Sequence, residues 1–170
     1  MTSVFISYSS RDRAIAEVIA AELRNRGADV FRDNERLIGG ENFVGRLGRE
    51  IEARDHVVFL VSARSVTSRW VNAEITWAFT KEKHIVPVII EEVVSSDFFI
   101  IENLHKIDAT SWLVNGDLSK TIRELAIALN LSLLTTSNDP LPPLIASPFQ
   151  EEEQERTPVF EIGDLSEIFT

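Results

Sequence analysis

The chain has 170 residues, 44% hydrophobic and 26% charged, which is the size and balance of a single globular domain. Its 17 Lys+Arg against 27 Asp+Glu give a net charge of -10, which argues against phosphate-backbone binding and against docking on an anionic membrane. There is no cysteine, so disulfides, thiolate metal sites and a cysteine nucleophile are excluded. No apolar run reaches the roughly 18 residues of a spanning helix, and Met1 leads straight into Val4-Phe5-Ile6 without a signal peptide, so the expected location is cytoplasmic.

Charge and proline divide the chain. Residues 1–134 carry 16 basic and 19 acidic side chains, whereas 135–170 hold Arg156 alone against eight acids. Pro140, Pro142, Pro143, Pro148 and Pro158 also fall in the later stretch. The expectation is a compact body over 1–134 followed by a Pro-rich acidic tail or linker over 135–170. Within that tail, Val159, Phe160, Ile162, Leu165, Ile168 and Phe169 suggest a docking segment for an activating partner, or the start of a further domain.

Val4-Phe5-Ile6 reads as a short buried strand, and Ser9, Ser10 and Asp12 are candidate caps for the helix after it. Ile15, Ile19 and Leu23 give that helix its stripe, and Gly27 ends it. Val30-Phe31 is a second strand, and Asp33–Gly40 a polar loop closing on two glycines. Asn42 is expected to cap a second helix lined by Phe43, Leu47 and Ile51. Val57–Val61 is five apolar residues without alternation, the pattern of a strand buried on both faces. A helical stretch after Ser62 carries Trp70, Glu74 and Trp77. Ile85–Ile90 is another apolar run, in which Pro87 is an awkward strand residue. A short strand near Lys106-Ile107 and a last helix, capped by Asp117 and lined by Leu118, Ile122, Leu125 and Leu129, complete the body. Strands alternating with helices imply an α/β fold with a parallel sheet, whose ligands bind at the carboxyl ends of the strands. The segments at that edge are Ser7–Asp12, Arg32–Glu41 and Ser62–Trp70.

Most site chemistries are missing. There is no phosphate-cradling glycine motif and no G-x-S-x-G nucleophile elbow. His56, His84 and His105 lack metal-ligand spacing and read as structural or surface imidazoles, so no metal is expected. What remains is Trp70 and Glu74, one helical turn apart and on one face. A carboxylate walled by aromatic surface is partly desolvated, which strengthens its hold on a developing cation such as an oxocarbenium-like centre. Taken alone, the pair reads more simply as a core tryptophan with a solvated glutamate one turn on.

The ordered set of segments is more specific. Val4–Asp12, a strand running into Ser-Tyr-Ser-x-x-Asp, resembles the first signature of TIR domains. The resemblance continues through Arg26-Gly27, Val30-Phe31-x-Asp33, Gly40 and Phe43, then Leu60-Val61-Ser62, Ser65, Ser68-Arg69-Trp70-Val71, Glu74 and Ile85–Val88, covering about residues 3–132. It implies a flavodoxin-like fold, a parallel sheet of about five strands with helices on both faces. The family contains noncatalytic adaptors, which assemble through the loop after the second strand, and members that cleave NAD+ between nicotinamide and ribose. The Ser-x-Trp-x-x-x-Glu setting at Ser68, Trp70 and Glu74 is similar to the NAD+-cleaving bacterial branch, which serves immune signalling or cell suicide.

That resemblance implies Glu74 as the catalytic residue, with NAD+ as substrate and no cofactor. Trp70 would pack under the helix and fix the carboxylate; Tyr8 would stack on nicotinamide or ribose, or simply form the turn. Ser7 and Ser62 are candidates for hydroxyl or phosphate contacts, and Arg36 for the pyrophosphate. Asp33 shares the loop with Arg36, where a solvated charge is the simpler reading, and Phe43 reads as core beneath it. Ser65 and Ser68 read first as helix caps. The family also implies homotypic assembly that completes the site. The competing expectation is a noncatalytic TIR–TIR scaffold or a mimic of host adaptors.

Overall fold

A computed structural model describes residues 1–32, 41–93 and 99–132, apart from the side chains of 41–44 and 99. Five strands, β1 (Ser3–Ser7), β2 (Asp29–Arg32), β3 (His56–Val61), β4 (His84–Ile89) and β5 (Ile107–Asp108), pair in parallel in the order β2-β1-β3-β4-β5. This is the flavodoxin-like order, with its topological switch between β1 and β3. Among the described residues, six α-helices connect and follow the strands: α1 (Arg13–Asn25), α2 (Glu41–Ala53), α3 (Ala63–Thr67), α4 (Arg69–Thr80), α5 (Thr110–Asn115) and α6 (Ser119–Ala128). The tail expected from residue 135 lies outside the described residues.

Strand alternation builds two cores, because successive side chains leave opposite faces of a sheet. Val4, Ile6, Val58, Leu60, Val86 and Val88 pack against Ile19 and Leu23 of α1, Trp112 of α5 and Ile122 and Leu125 of α6. Phe5, Val57, Phe59, Val61 and Ile85 point the other way, onto Leu47 and Ile51 of α2, Val66 of α3 and Val71, Ile75 and Ala78 of α4. Helices thus cover both faces, and the unbroken apolar run of β3 has a partner for every side chain.

Gly27 ends α1 as its sequence predicts. It takes φ +84°, its N–H bonds the Arg24 carbonyl at 2.8 Å, and the Ala28 N–H reaches back to Leu23 at 3.1 Å. That double closure satisfies two orphaned carbonyls at the helix end. Pro87 is accommodated because β5 pairs with β4 only at Val88 and Ile89, so at the proline the strand has its one neighbour in β3.

The caps depart from expectation. Neither Ser9 nor Asp12 caps with its side chain; a 3₁₀ turn over Ser10–Asp12 leads into α1 instead. Asn42 lies inside α2, which begins at Glu41. Asp117 sits one position ahead of the N-cap of α6, where its Oδ1 accepts from the Ser119 N–H at 2.9 Å. The stretch after Ser62 is two helices. Ser62 and Ser65 close a reciprocal capping box on α3, and Ser68 caps α4 by accepting from the Val71 N–H at 3.3 Å.

Candidate functional site

Two sequence positions meet at the carboxyl end of β1. Ser7 is the last residue of the strand and shares Phe5's face by alternation, so its side chain looks toward α4. On α4, Val71, Ile75 and Ala78 form the buried stripe, and Glu74 lies on that same stripe. The Ser7 hydroxyl donates to Glu74 Oε2. Glu74 is 2% exposed, which overturns the alternative of a solvated glutamate. A carboxylate so placed costs free energy that hydrogen bonding must offset, and it acts with little screening by water. Trp70, one turn earlier, is partly buried against the same core.

A second polar cluster lies beside it, across the β1/β3 switch point. Asp12 is 1% exposed and accepts from Ser62 Oγ at 2.6 Å. Its other oxygen accepts from Arg64 Nε at 3.2 Å and Nη2 at 2.8 Å. These hydrogen bonds raise the Arg64 pKa above its ordinary value, and nearby Glu91 adds a weaker attraction with its carboxylate 3.8 Å away. Ser62 Oγ also accepts from the Ser65 N–H at 3.1 Å, so strand end, helix cap and the turn after β1 form one network. The sequence places Asp12 and Arg64 within the edge segments Ser7–Asp12 and Ser62–Trp70, but reads Asp12 individually as a cap and does not single out Arg64.

Of the remaining expected site residues, Tyr8 alone has a described side chain. Tyr8 is 1% exposed and lies in the opposite core with Val4 and Ile6, away from the face of Ser7 and Glu74. Asp33 and Arg36 lie outside the described residues, as does the Phe43 side chain. The described residues therefore unite Ser7 with Glu74 and place Ser62 in the neighbouring network. A cavity of about 580 Å³ opens elsewhere, lined by Phe79, Lys83, His84, Leu104 and His105 near the amino ends of the strands. It does not include Glu74.

Comparison with known proteins agrees with the topology. The TIR domain of a Toll-related receptor, TRR-2, from Hydra magnipapillata aligns with TM-score 0.61 at 15% identity, over 75% of this chain and 97% of that one. The TIR domains of the activated Roq1 resistosome, which recognises the effector XopQ, align at 0.56 and 19% identity, over 75% and 98%. A Clostridium botulinum CMP N-glycosidase, BcmB, aligns at 0.54 and 16%, over 75% and 100%. At these identities the likeness is one of fold. A search of the curated proteins returned no match. Family comparison matches residues 4–126 to the TIR domain, from the first strand almost to the end of α6. On that match, together with its five-stranded parallel sheet, the chain belongs to the TIR domain family.

Proposed function

We infer that this TIR domain cleaves NAD+ at the bond between nicotinamide and ribose, with Glu74 as its catalytic residue. The observation that carries the reading is the Glu74 carboxylate, buried on α4 at the carboxyl end of β1 and held by the Ser7 hydroxyl. Once a ribose reaches it, the carboxylate accepts hydrogen bonds from the ribose hydroxyls and stabilises positive charge at the anomeric carbon as the bond breaks. Nicotinamide departs neutral, taking the bonding electron pair onto its ring nitrogen, so no general acid is needed. Water then adds to the anomeric carbon and releases a proton. Ser7 fixes the rotamer of the carboxylate; Trp70 packs beside it.

At 2% exposure Glu74 meets a ribose only after the surrounding groups move, which favours activation by homotypic assembly over constitutive turnover. The same burial favours the second reading, a noncatalytic TIR–TIR scaffold. Incubating concentrated protein with NAD+ and following nicotinamide release separates the two. The wild type is expected to release nicotinamide, with Glu74→Ala and Glu74→Gln reduced to background. Equal turnover by wild type and variants, or none from assembled wild type, would sink the catalytic reading. Mass spectrometry of the products distinguishes hydrolysis, cyclisation and base exchange.

A further inference from the structure

The two histidines that open β3 and β4 lie 28 positions apart in the chain and read from sequence as structural or surface imidazoles. Parallel pairing puts them in register, His56 beside His84, at the amino edge of the sheet. Their Nδ1 atoms approach to 2.8 Å, with ring centroids 5.0 Å apart and planes at 73°. His84 is exposed and His56 half-buried, so the pair opens to solvent on one side. We propose that His56 and His84 form a two-imidazole chelate for a divalent transition-metal cation of the Cu2+ or Ni2+ class, clamping β3 to β4 at the end of the sheet remote from Glu74.

The distance between the two nitrogens supports this. Two nitrogens 2.8 Å apart, each about 2.0–2.1 Å from a shared ion, subtend about 85–90° at the metal. That is the cis angle of a square-planar or octahedral ion, whereas tetrahedral coordination needs the nitrogens about 3.3–3.4 Å apart. Imidazole suits these ions, and Cu2+ stands highest among the divalent first-row metals. The hydrogen bond between the rings requires a proton on one Nδ1 and a lone pair on the other. Moving that proton to Nε2 frees both lone pairs with no net change in protons; the rings stand nearly head-on, and a turn of the exposed His84 ring aims both lone pairs at one ion. Neighbouring charges do not obstruct the site. Lys83 Nζ is drawn toward the Glu52 and Arg54 carbonyls at 2.5 and 2.9 Å, and Asp55 contributes a carboxylate beside the pair, held by the Ser3 N–H at 2.9 Å. Among the described residues no group of three or more His, Asp or Glu is arranged around one ion, so water completes the coordination.

The test uses the full chain at neutral pH, titrated with Cu2+ and, as a redox-silent probe, Ni2+. Equimolar binding is expected, with a Cu2+ electron paramagnetic resonance spectrum showing two equatorial nitrogens. His56→Ala and His84→Ala should each weaken binding about 100-fold, since the second ligand of a linked pair acts at high effective concentration. His105→Ala should leave affinity unchanged. Saturating metal should raise the melting temperature of the wild type and of His105→Ala, and leave that of His84→Gln unmoved. If His56→Ala fails to fold, the exposed His84→Gln variant carries the comparison. Wild-type affinity in either histidine variant, a one-nitrogen spectrum, or equal loss in His105→Ala would overturn the site. Tighter binding of Zn2+ than of Ni2+ would overturn the cis geometry.

Discussion

Replacing Arg64 with methionine is expected to harm the fold more than neutralising its partner Asp12, although both remove the same ion pair. The asymmetry follows from burial: the Asp12 carboxylate is 1% exposed, while the Arg64 side chain is 44% exposed. Arg64→Met strips two N–H bonds from a buried anion and leaves it the Ser62 hydroxyl. Breaking a buried pair from one side costs about 3–5 kcal/mol, reduced here to about 2–3 because water reaches the space that the guanidinium leaves. Asp12→Asn keeps an oxygen for Ser62 and frees a guanidinium that solvent and Glu91 can take up, at a cost of about 1 kcal/mol. At about 3 °C per kcal/mol for a domain of this size, the expected falls in melting temperature are about 6–9 °C and about 3 °C. The double variant should melt close to Asp12→Asn alone, since a neutral amide needs no counter-charge. Thermal and urea unfolding followed by circular dichroism gives all four corners of the cycle. Additive losses, or an Arg64→Met cost no larger than that of Asp12→Asn, would refute the reasoning.

Ser7→Ala should lower nicotinamide release about 10–100-fold with the fold retained, because the Glu74 carboxylate loses the hydroxyl that orients Oε2; an unchanged kcat removes Ser7 from the site. Gly27→Ala should cost about 1–2 kcal/mol in urea unfolding, since a side chain at φ +84° meets no atom within 4 Å and the penalty is conformational alone. Asp108 accepts from the Thr110 hydroxyl at 2.7 Å and its N–H at 2.9 Å, and these bonds hold the carboxyl below its ordinary pKa of 3.8. Its contribution to stability is therefore present above that value and lost as pH falls through the lower folded pKa. Asp108→Asn should flatten this acid limb of the stability curve in melts across the acid range.

The sheet was legible because its evidence is periodic. Val57–Val61 reads as buried on both sides since all five residues are apolar, and the two cores divide those residues by alternation. Gly27 was legible because the left-handed region favours one residue type. The site was legible in part. Helical spacing put Trp70 and Glu74 on one face, but burial depends on what lies opposite, and Ser7 is 67 positions away. Asp12 misled because a short polar residue before a helix usually caps it, whereas here long-range partners claim its carboxylate. The histidine pair was invisible for the same reason: register between β3 and β4 is a product of folding, with no local trace.

Helix α2 meets α4 where Gly48 faces Trp77. A methyl group built on Gly48 would stand 3.4 Å from the indole nitrogen, so α2 contributes bare backbone here and the Trp77 indole packs directly on it. Trp77 follows Glu74 on α4 by less than one turn. Position 48 is thus a graded wedge: alanine, valine and leucine there would press α4 by increasing amounts while leaving every polar group of the site in place. The domain carries its own lever for asking how far the helix beneath the carboxylate may shift before the chemistry responds.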